Sequence, residues 1–123
     1  MSLTAQLDTI RSALPGCVLA AYGDSNAKLV LRSSADRPWP QERLDDLCKT
    51  ASRTLDLFDR LSPKRRQPGH LREAVVARGN DVRIYVGAPA GDLLCCVCRA
   101  GADTQQAAQT VRAALAKLMG QDQ

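Results

Sequence analysis

The sequence predicts an α+β domain, a five-stranded antiparallel sheet of strand order 2-1-5-4-3 with helices on both faces. Three segments carry apolar residues at helical spacing, and five shorter segments rich in Val, Ile, Leu and Cys are separated by turn-forming residues. Two of the strand segments are apolar at consecutive positions, which indicates strands buried on both faces. The predicted order of elements is α-β-β-α-β-β-β-α, in one domain spanning residues 1–123.

The composition is typical of a globular domain, because 45% of the residues are hydrophobic and 24% are charged. This balance excludes disorder, collagen and coiled coil. Asp8 interrupts the segment where a signal peptide would need an apolar run, and no apolar stretch approaches the ~20 residues of a membrane span. Five cysteines, an odd number, favour a reducing compartment over a disulfide framework. We therefore expect a cytoplasmic protein that does not contact a membrane.

The first predicted helix ends before Pro15 and Gly16, and Ser2 or Thr4 can cap its first turn. Residues 17–23 and 28–33 form a predicted hairpin around a polar turn. The apolar stripe of the helix consists of Leu3, Leu7, Ile10 and Leu14.

A long second helix is predicted over residues 41–61, after a loop with prolines at 38 and 40. Its apolar arc is wider than the ~100° stripe that covers one sheet, so the second of two stripes requires a partner. We expect a second copy of the chain to cover it, and the alternative is cover by the loop 34–41. The first stripe consists of Leu44, Cys48, Ala51, Leu55 and Phe58, and the second of Leu47, Thr50, Thr54, Leu57 and Leu61.

The second half of the sequence predicts a three-stranded meander followed by a final helix. The strands cover residues 71–78, 82–87 and 93–99, and the helix begins at Asp103 or Thr104 and ends at Met119.

Polar residues place the strands in the sheet. Segments 17–22 and 93–98 are apolar throughout and should be central, whereas the strands over 28–33 and 71–78 carry several charges and should lie at the edges. If strands that are joined by a hairpin lie side by side, this placement gives the strand order 2-1-5-4-3.

The cysteines near the end of the last strand do not predict a metal or redox site. Only Cys96 and Cys98 share a face of the strand, and both should be buried beneath a helix, whereas Cys95 points the other way. Zinc requires about four converging ligands. His70 has no nucleophile and carboxylate marked beside it, so we expect a solvated loop residue. We predict no catalytic residue, no cofactor and no metal, although an enzyme that uses a cysteine remains an alternative.

Two features are candidates for contact with a partner. The basic run Lys64, Arg65 and Arg66 lies in the connector before the third strand, and Trp39 lies between two prolines. The basic run suits an acidic protein surface or a phosphate group, or is a solvated loop, and Trp39 is either a docking residue or the edge of the core. Nucleic-acid binding is not expected, because stacking aromatics and a recognition helix are missing.

The sequence resembles the roadblock and dynein light chain family over nearly its whole length. The resemblance implies a roadblock-like fold of three layers, similar to that of profilin. It also implies a homodimer in which the third strands of the two copies pair and their middle helices pack together. The turn at 24–27 and the start of the last helix at 103–105 depart from the family pattern. The similarity is carried by residues 14–18 (LPGCV), 71–77 (LREAVVA) and 91–97 (GDLLCCV), and by a last helix rich in Ala, Arg and Leu. The expected dimer interface is Leu47, Thr50, Thr54, Leu57, Leu61, Arg72, Ala74 and Val76.

Bacterial members of this family include partners of Ras-like GTPases, so the resemblance implies a non-enzymatic homodimeric adaptor or regulator that binds a small GTPase or another protein. The alternatives are a chaperone of the type III secretion kind and a phosphate or nucleic-acid binder that uses residues 64–66. Secretion chaperones of this kind are typically acidic, whereas this chain has a pI of about 9.0.

Overall fold

The computed structural model describes residues 2–61, 70–101 and 103–120. The elements begin and end within one or two residues of the predicted bounds. They are α1 (Leu3–Ala13), β1 (Cys17–Asp24), β2 (Leu29–Ala35), α2 (Gln41–Leu61), β3 (Arg72–Ala77), β4 (Asp81–Gly87), β5 (Asp92–Arg99) and α3 (Thr104–Gly120).

The five strands form one antiparallel sheet in the order β2-β1-β5-β4-β3, which confirms the predicted topology. β1 and β5 lie at the centre, and each contributes buried side chains to both faces. α1 and α3 cover one face and α2 covers the other. In the described part of the chain, none of the helices is long and apolar enough to cross a membrane.

The two shorter helices begin at side-chain caps. The Ser2 hydroxyl accepts a hydrogen bond of 3.1 Å from the Ala5 amide. The Asp103 carboxylate accepts bonds of 3.1 and 3.2 Å from the amides of Gln105 and Gln106, so Asp103 is the cap of α3 among the two predicted candidates. Such caps satisfy amides that have no partner inside the helix.

α2 crosses its face of the sheet from one edge to the other. At its start, the Gln41 side-chain amide donates to the Val30 carbonyl at 3.0 Å, and the Asp45 carboxylate accepts from the Val30 amide at 3.0 Å. At its end, Asp56 and Asp59 pair with Arg72 of the opposite edge strand. The first turn of α2 therefore lies at β2 and its last turns lie at β3.

A bulge bends the hairpin of β1 and β2. Tyr22 pairs with Arg32 but Gly23 pairs with Val30, so that Leu31 is left without a partner on β1. The extra residue reverses which side chains of β2 face α2, and Val30 thereby enters the core on that side. Gly23 is required at the bulge, because a Cβ atom there would lie 2.6 Å from the Leu29 carbonyl oxygen.

We expect Gly23→Ala to destabilise the fold by about 1–3 kcal/mol, the typical penalty of forcing extra atoms into a packed site. The obstacle is backbone, which cannot rotate away as a side chain would. The matched control is Gly79→Ala, whose Cβ would meet nothing within 4 Å and which should change stability by less than about 0.5 kcal/mol. Urea unfolding at one protein concentration measures both, and equal stability of the two variants would contradict the bulge argument.

Candidate interaction surface

The two edges of the sheet differ in what their backbone groups face. At the β2 edge, the amide and the carbonyl of Val30 are both occupied by side chains of α2. The bulge at Leu31 twists the same strand. Bulges and covered backbone groups are common ways in which proteins prevent a sheet edge from pairing with another strand.

The β3 edge presents its backbone outward. The Arg78 amide donates to the Asp81 carbonyl at 2.8 Å, which fixes the alternation of the β3–β4 ladder. Glu73, Val75 and Ala77 consequently occupy the non-hydrogen-bonded positions opposite β4, and their amides and carbonyls point away from it. β3 is the last strand in the sheet order, so these groups form a row at the edge that a further strand could pair with.

Exposed leucines lie at the same side of the molecule. Leu57 is 50% exposed and Leu61 is 72% exposed, both near the end of α2 that reaches β3. Val75 on β3 is 36% exposed. Large apolar side chains beside a strand edge with outward backbone groups are a combination typical of a contact surface. We call Leu57, Leu61 and the outward positions of β3 the β3 surface.

Arg72 fixes the end of α2 to β3. Its guanidinium lies 2.9 Å from Asp59 and 3.0 Å from Asp56. The Asp59 side chain is only 10% exposed, whereas that of Asp56 is 60% exposed. Although burial acts to lower the pKa of Arg72, hydrogen bonds and charge attraction to the two carboxylates raise it overall. The triad fixes to β3 the last turns of α2, which carry Leu57 and Leu61.

The predicted interface residues do not all lie on one surface. Leu47 and Ala74 are each 3% exposed and belong to the core between α2 and the sheet. The expectation that the stripe of Leu47 lacks cover within the chain is therefore wrong for Leu47. The reason is the side of α2 on which each residue lies, because Leu55 in the same turns as Leu57 and Leu61 is only 1% exposed. At 100° per residue, Leu47 lies nearer the side of Leu55 than Leu57 and Leu61 do.

The remaining predicted residues are partly accessible. Arg72 and Val76 are half-buried on the face of β3 that α2 covers, Thr50 is exposed, and the Thr54 hydroxyl donates to the Thr50 carbonyl at 2.8 Å.

Trp39 lies at the margin of the core on the α2 side, where it is half-buried. The Arg43 guanidinium lies 4.3 Å from the centroid of its ring, a cation–π contact. This geometry agrees with the core-edge interpretation, and loop 34–41 thereby covers part of α2. The basic run 64–66 lies outside the described residues, and His70 is exposed.

The cysteines are free thiols, and Cys48, Cys95, Cys96 and Cys98 are buried. Cys96 and Cys98 lie on the face covered by α1 and α3, as the strand alternation predicted, and Cys95 lies on the α2 face. Burial raises the pKa of Cys95 and of Cys48. Among the residues that the structure describes, no group of three or more His, Cys, Asp or Glu side chains is placed to hold a metal ion.

Solved structures share this architecture. A roadblock/LC7 domain from Streptomyces avermitilis has a TM-score of 0.78 and 16% identity, over 98% of this chain and 97% of that chain. The chain has the roadblock fold. MglB from Myxococcus xanthus has a TM-score of 0.69 and 10% identity, over 94% and 89% of the two chains. An MglB with a tetrameric arrangement has a TM-score of 0.65 and 18% identity, over 92% and 87%.

No protein-family model matches the sequence, and no curated protein matches it either. At the identities of these structural neighbours, the likeness establishes the roadblock fold and leaves function to be argued from the surface.

Sequence reasoning missed the contacts that distinguish the two edges of the roadblock sheet. The spacing of Gln41 and Asp45, four residues apart in a helix, could have predicted that their side chains lie on the same face of α2. The approach of Asp59 to Arg72 joins elements that are separate along the chain, and no local pattern indicates it.

We expect Arg72→Met to reduce the free energy of unfolding by about 1.5–3 kcal/mol, the usual range for hydrogen bonds to charged groups, because Asp59 would remain buried without its partner. Arg112→Met is the matched control, because Arg112 of α3 also joins a helix to β3, through the Glu73 carboxylate at 3.0 Å, but its side chain is 47% exposed. The control should lose less than about 1 kcal/mol. Urea unfolding at fixed protein concentration checks both values, and an equal loss in the two variants would contradict the role of Arg72.

Proposed function

We propose that the protein is a non-enzymatic homodimeric adaptor or regulator whose dimer forms through the β3 surface. The observation that carries the proposal is the juxtaposition of outward backbone groups on β3 with the exposed side chains of Leu57 and Leu61. Two copies related by a two-fold axis would continue the sheet across β3 and bring the ends of their α2 helices together. Isologous contacts of this kind are the commonest route to a dimer.

The charges on β3 are compatible with antiparallel self-pairing. If the axis passes through Val75, that residue faces its own copy, and Glu73 faces Ala77 of the partner subunit. In this register Glu73 does not face its own copy. Arg72 lies opposite Arg78 of the partner subunit, and the repulsion between these like charges is offset by the Asp56 and Asp59 carboxylates that bind Arg72. Burial of a Leu side chain contributes about 1.5–3 kcal/mol, so Leu57 and Leu61 in both copies add substantially to the backbone hydrogen bonds.

The partner we propose is a small Ras-like GTPase. The support is the resemblance of the sequence to a family with such partners and the likeness of the fold to MglB structures. The basic run 64–66 lies in the connector before β3, and its charge suits an acidic protein surface. The fold favours this adaptor role over a secretion chaperone.

The dimer proposal predicts that Leu57→Asp combined with Leu61→Asp raises the dissociation constant of the dimer by at least about tenfold per substitution, because charged side chains would lose solvation in the interface. Sedimentation velocity over a range of concentrations measures it. A wild-type protein that is monomeric at tens of micromolar, in the range of weak specific association, would contradict the proposal.

The control for this experiment lies on the opposite edge. Leu31 is 50% exposed, as is Leu57, and Leu29 is 46% exposed, but both lie on the covered β2 strand. Leu29→Asp with Leu31→Asp should leave the dissociation constant unchanged. A loss of dimer in this control variant would assign the interface to β2 instead.

The partner proposal predicts that reversing Lys64, Arg65 and Arg66 to Glu weakens GTPase binding without unfolding the domain, since solvated charges contribute little to stability. The loss should diminish at high salt, because screening already weakens the wild-type contact there. Calorimetric titration with a Ras-like GTPase of the same organism, loaded with GDP or a non-hydrolysable GTP analogue, measures the affinity. Equal affinities of wild type and variant would show that residues 64–66 do not contact the GTPase and form a solvated connector. Tight DNA binding by wild type alone would support the nucleic-acid alternative.

A further inference from the structure

Two cysteines from the central strands face each other at one end of the sheet. The register of β1 and β5 pairs Cys17 with Cys98. The Arg99 amide donates to the Gly16 carbonyl at 2.9 Å, so the ladder hydrogen bonds flank this pair and do not join it. In such non-hydrogen-bonded pairs the Cα atoms are about 4.5 Å apart and the side chains are closest. That separation lies within the range that a disulfide spans.

The thiols of this pair interact. The Cys17 thiol donates to the Leu19 carbonyl at 3.3 Å, and the thiols of Cys96 and Cys98 are near enough to influence its pKa. Cys96 lies on the same face as Cys98 but pairs with Ala20, beyond a register shift between Cys17 and Leu19. Register therefore favours Cys98 over Cys96 as the bonding partner.

Exposure differs between the two members of the pair. Cys17 is only partly buried, whereas Cys98 is 1% exposed and Cys96 is fully buried. A reagent in solvent consequently reaches Cys17 first, and a neighbouring thiol is already in place behind it. An accessible cysteine with a second cysteine adjacent to it can be oxidised reversibly to a disulfide.

We propose that Cys17 and Cys98 form an oxidation site at which a hydroperoxide generates an intrachain disulfide across β1 and β5. The Cys17 thiolate attacks one peroxide oxygen, the O–O bond breaks, and the leaving oxygen takes the electron pair and a proton. The Cys98 sulfur then attacks the resulting sulfenic acid, so that the S–S bond forms, the S–O bond breaks and water leaves. With hydrogen peroxide, two thiols lose two electrons and two protons, and the peroxide is reduced to two waters.

The rate of this reaction is limited by the small fraction of Cys17 that is deprotonated to the thiolate. The hydrogen bond with Cys96 is the largest of the causes that raise the pKa of Cys17 to about 12. At neutral pH the thiolate fraction is small, and thiolate is the attacking species. The site therefore responds to sustained oxidation and not to brief exposure. The product would lock the two central strands together and constrain the unfolded chain, which raises the melting temperature.

Peptide mapping tests the proposal. Reduced protein is freed of reductant, treated with hydrogen peroxide under native conditions, denatured, alkylated and cleaved with trypsin. Cleavage after Arg11 and Lys28 isolates Cys17, and cleavage after Arg83 and Arg99 isolates the peptide with Cys98. We expect one linked pair, about 2 Da lighter than its two reduced peptides, with fragmentation at Val97 placing the bond on Cys98. The oxidised protein should melt at a higher temperature than the reduced protein.

Variants separate this pair from the other thiols. Cys17→Ser and Cys98→Ala should each abolish the link, whereas Cys96→Ala and the α2 control Cys48→Ser should retain it. Circular dichroism confirms that each variant is folded, and Cys17→Ser tests the pair alone if Cys98→Ala unfolds. A bond to Cys96, a bond between chains, Cys17 oxidised to its sulfinic acid without a link, or a Cys17 that reacts only in denaturant would each overturn the proposal.

Discussion

Pairing of β1 with β5, which runs from Cys17 opposite Cys98 to Asp24 opposite Asp92, supplies both hydrophobic cores of the domain. Because successive side chains of a strand point to opposite faces, each of these strands must be apolar at nearly every position if helices cover both sides. Leu19, Ala21 and Cys95 accordingly pack towards α2, whereas Ala20, Leu94 and Cys96 pack towards α1 and α3. β2 pairs with β1, β4 pairs with β5, and β3 extends the sheet from β4.

The path of α2 decides the character of the sheet edges. A helix that crosses the sheet diagonally has one end at each edge, and the polar residues at those ends determine what the edge exposes. At β2, Gln41 and Asp45 occupy the backbone of Val30. At β3, Asp56 and Asp59 bind the Arg72 side chain and leave the outward backbone of the strand unbonded by α2. One helix thus covers the first edge and leaves the second available to another strand.

Small and polarisable side chains suit such a sheet. Cysteines on β5 fill space beneath helices on both faces, and burial keeps Cys95 protonated by raising its pKa. Cys17 differs because it is the first residue of β1 and is only partly buried. The same residue type therefore serves as core packing in one place and as an accessible thiol in another, and the position in the sheet makes the difference.

The sequence by itself determined the elements, their order and the strand arrangement, because hydrophobic periodicity, turn residues and continuous apolar strands are local signals. It also indicated that α2 has more apolar surface than one sheet face requires, and that Cys96 and Cys98 share a face. Only the tertiary structure decided that Leu47 is covered while Leu57 and Leu61 are exposed, since this depends on which side of α2 the sheet covers. Register between strands distant in sequence likewise decided that Cys17 faces Cys98, because pairing of β1 with β5 is set by the packing of the whole sheet and by no pattern within either strand.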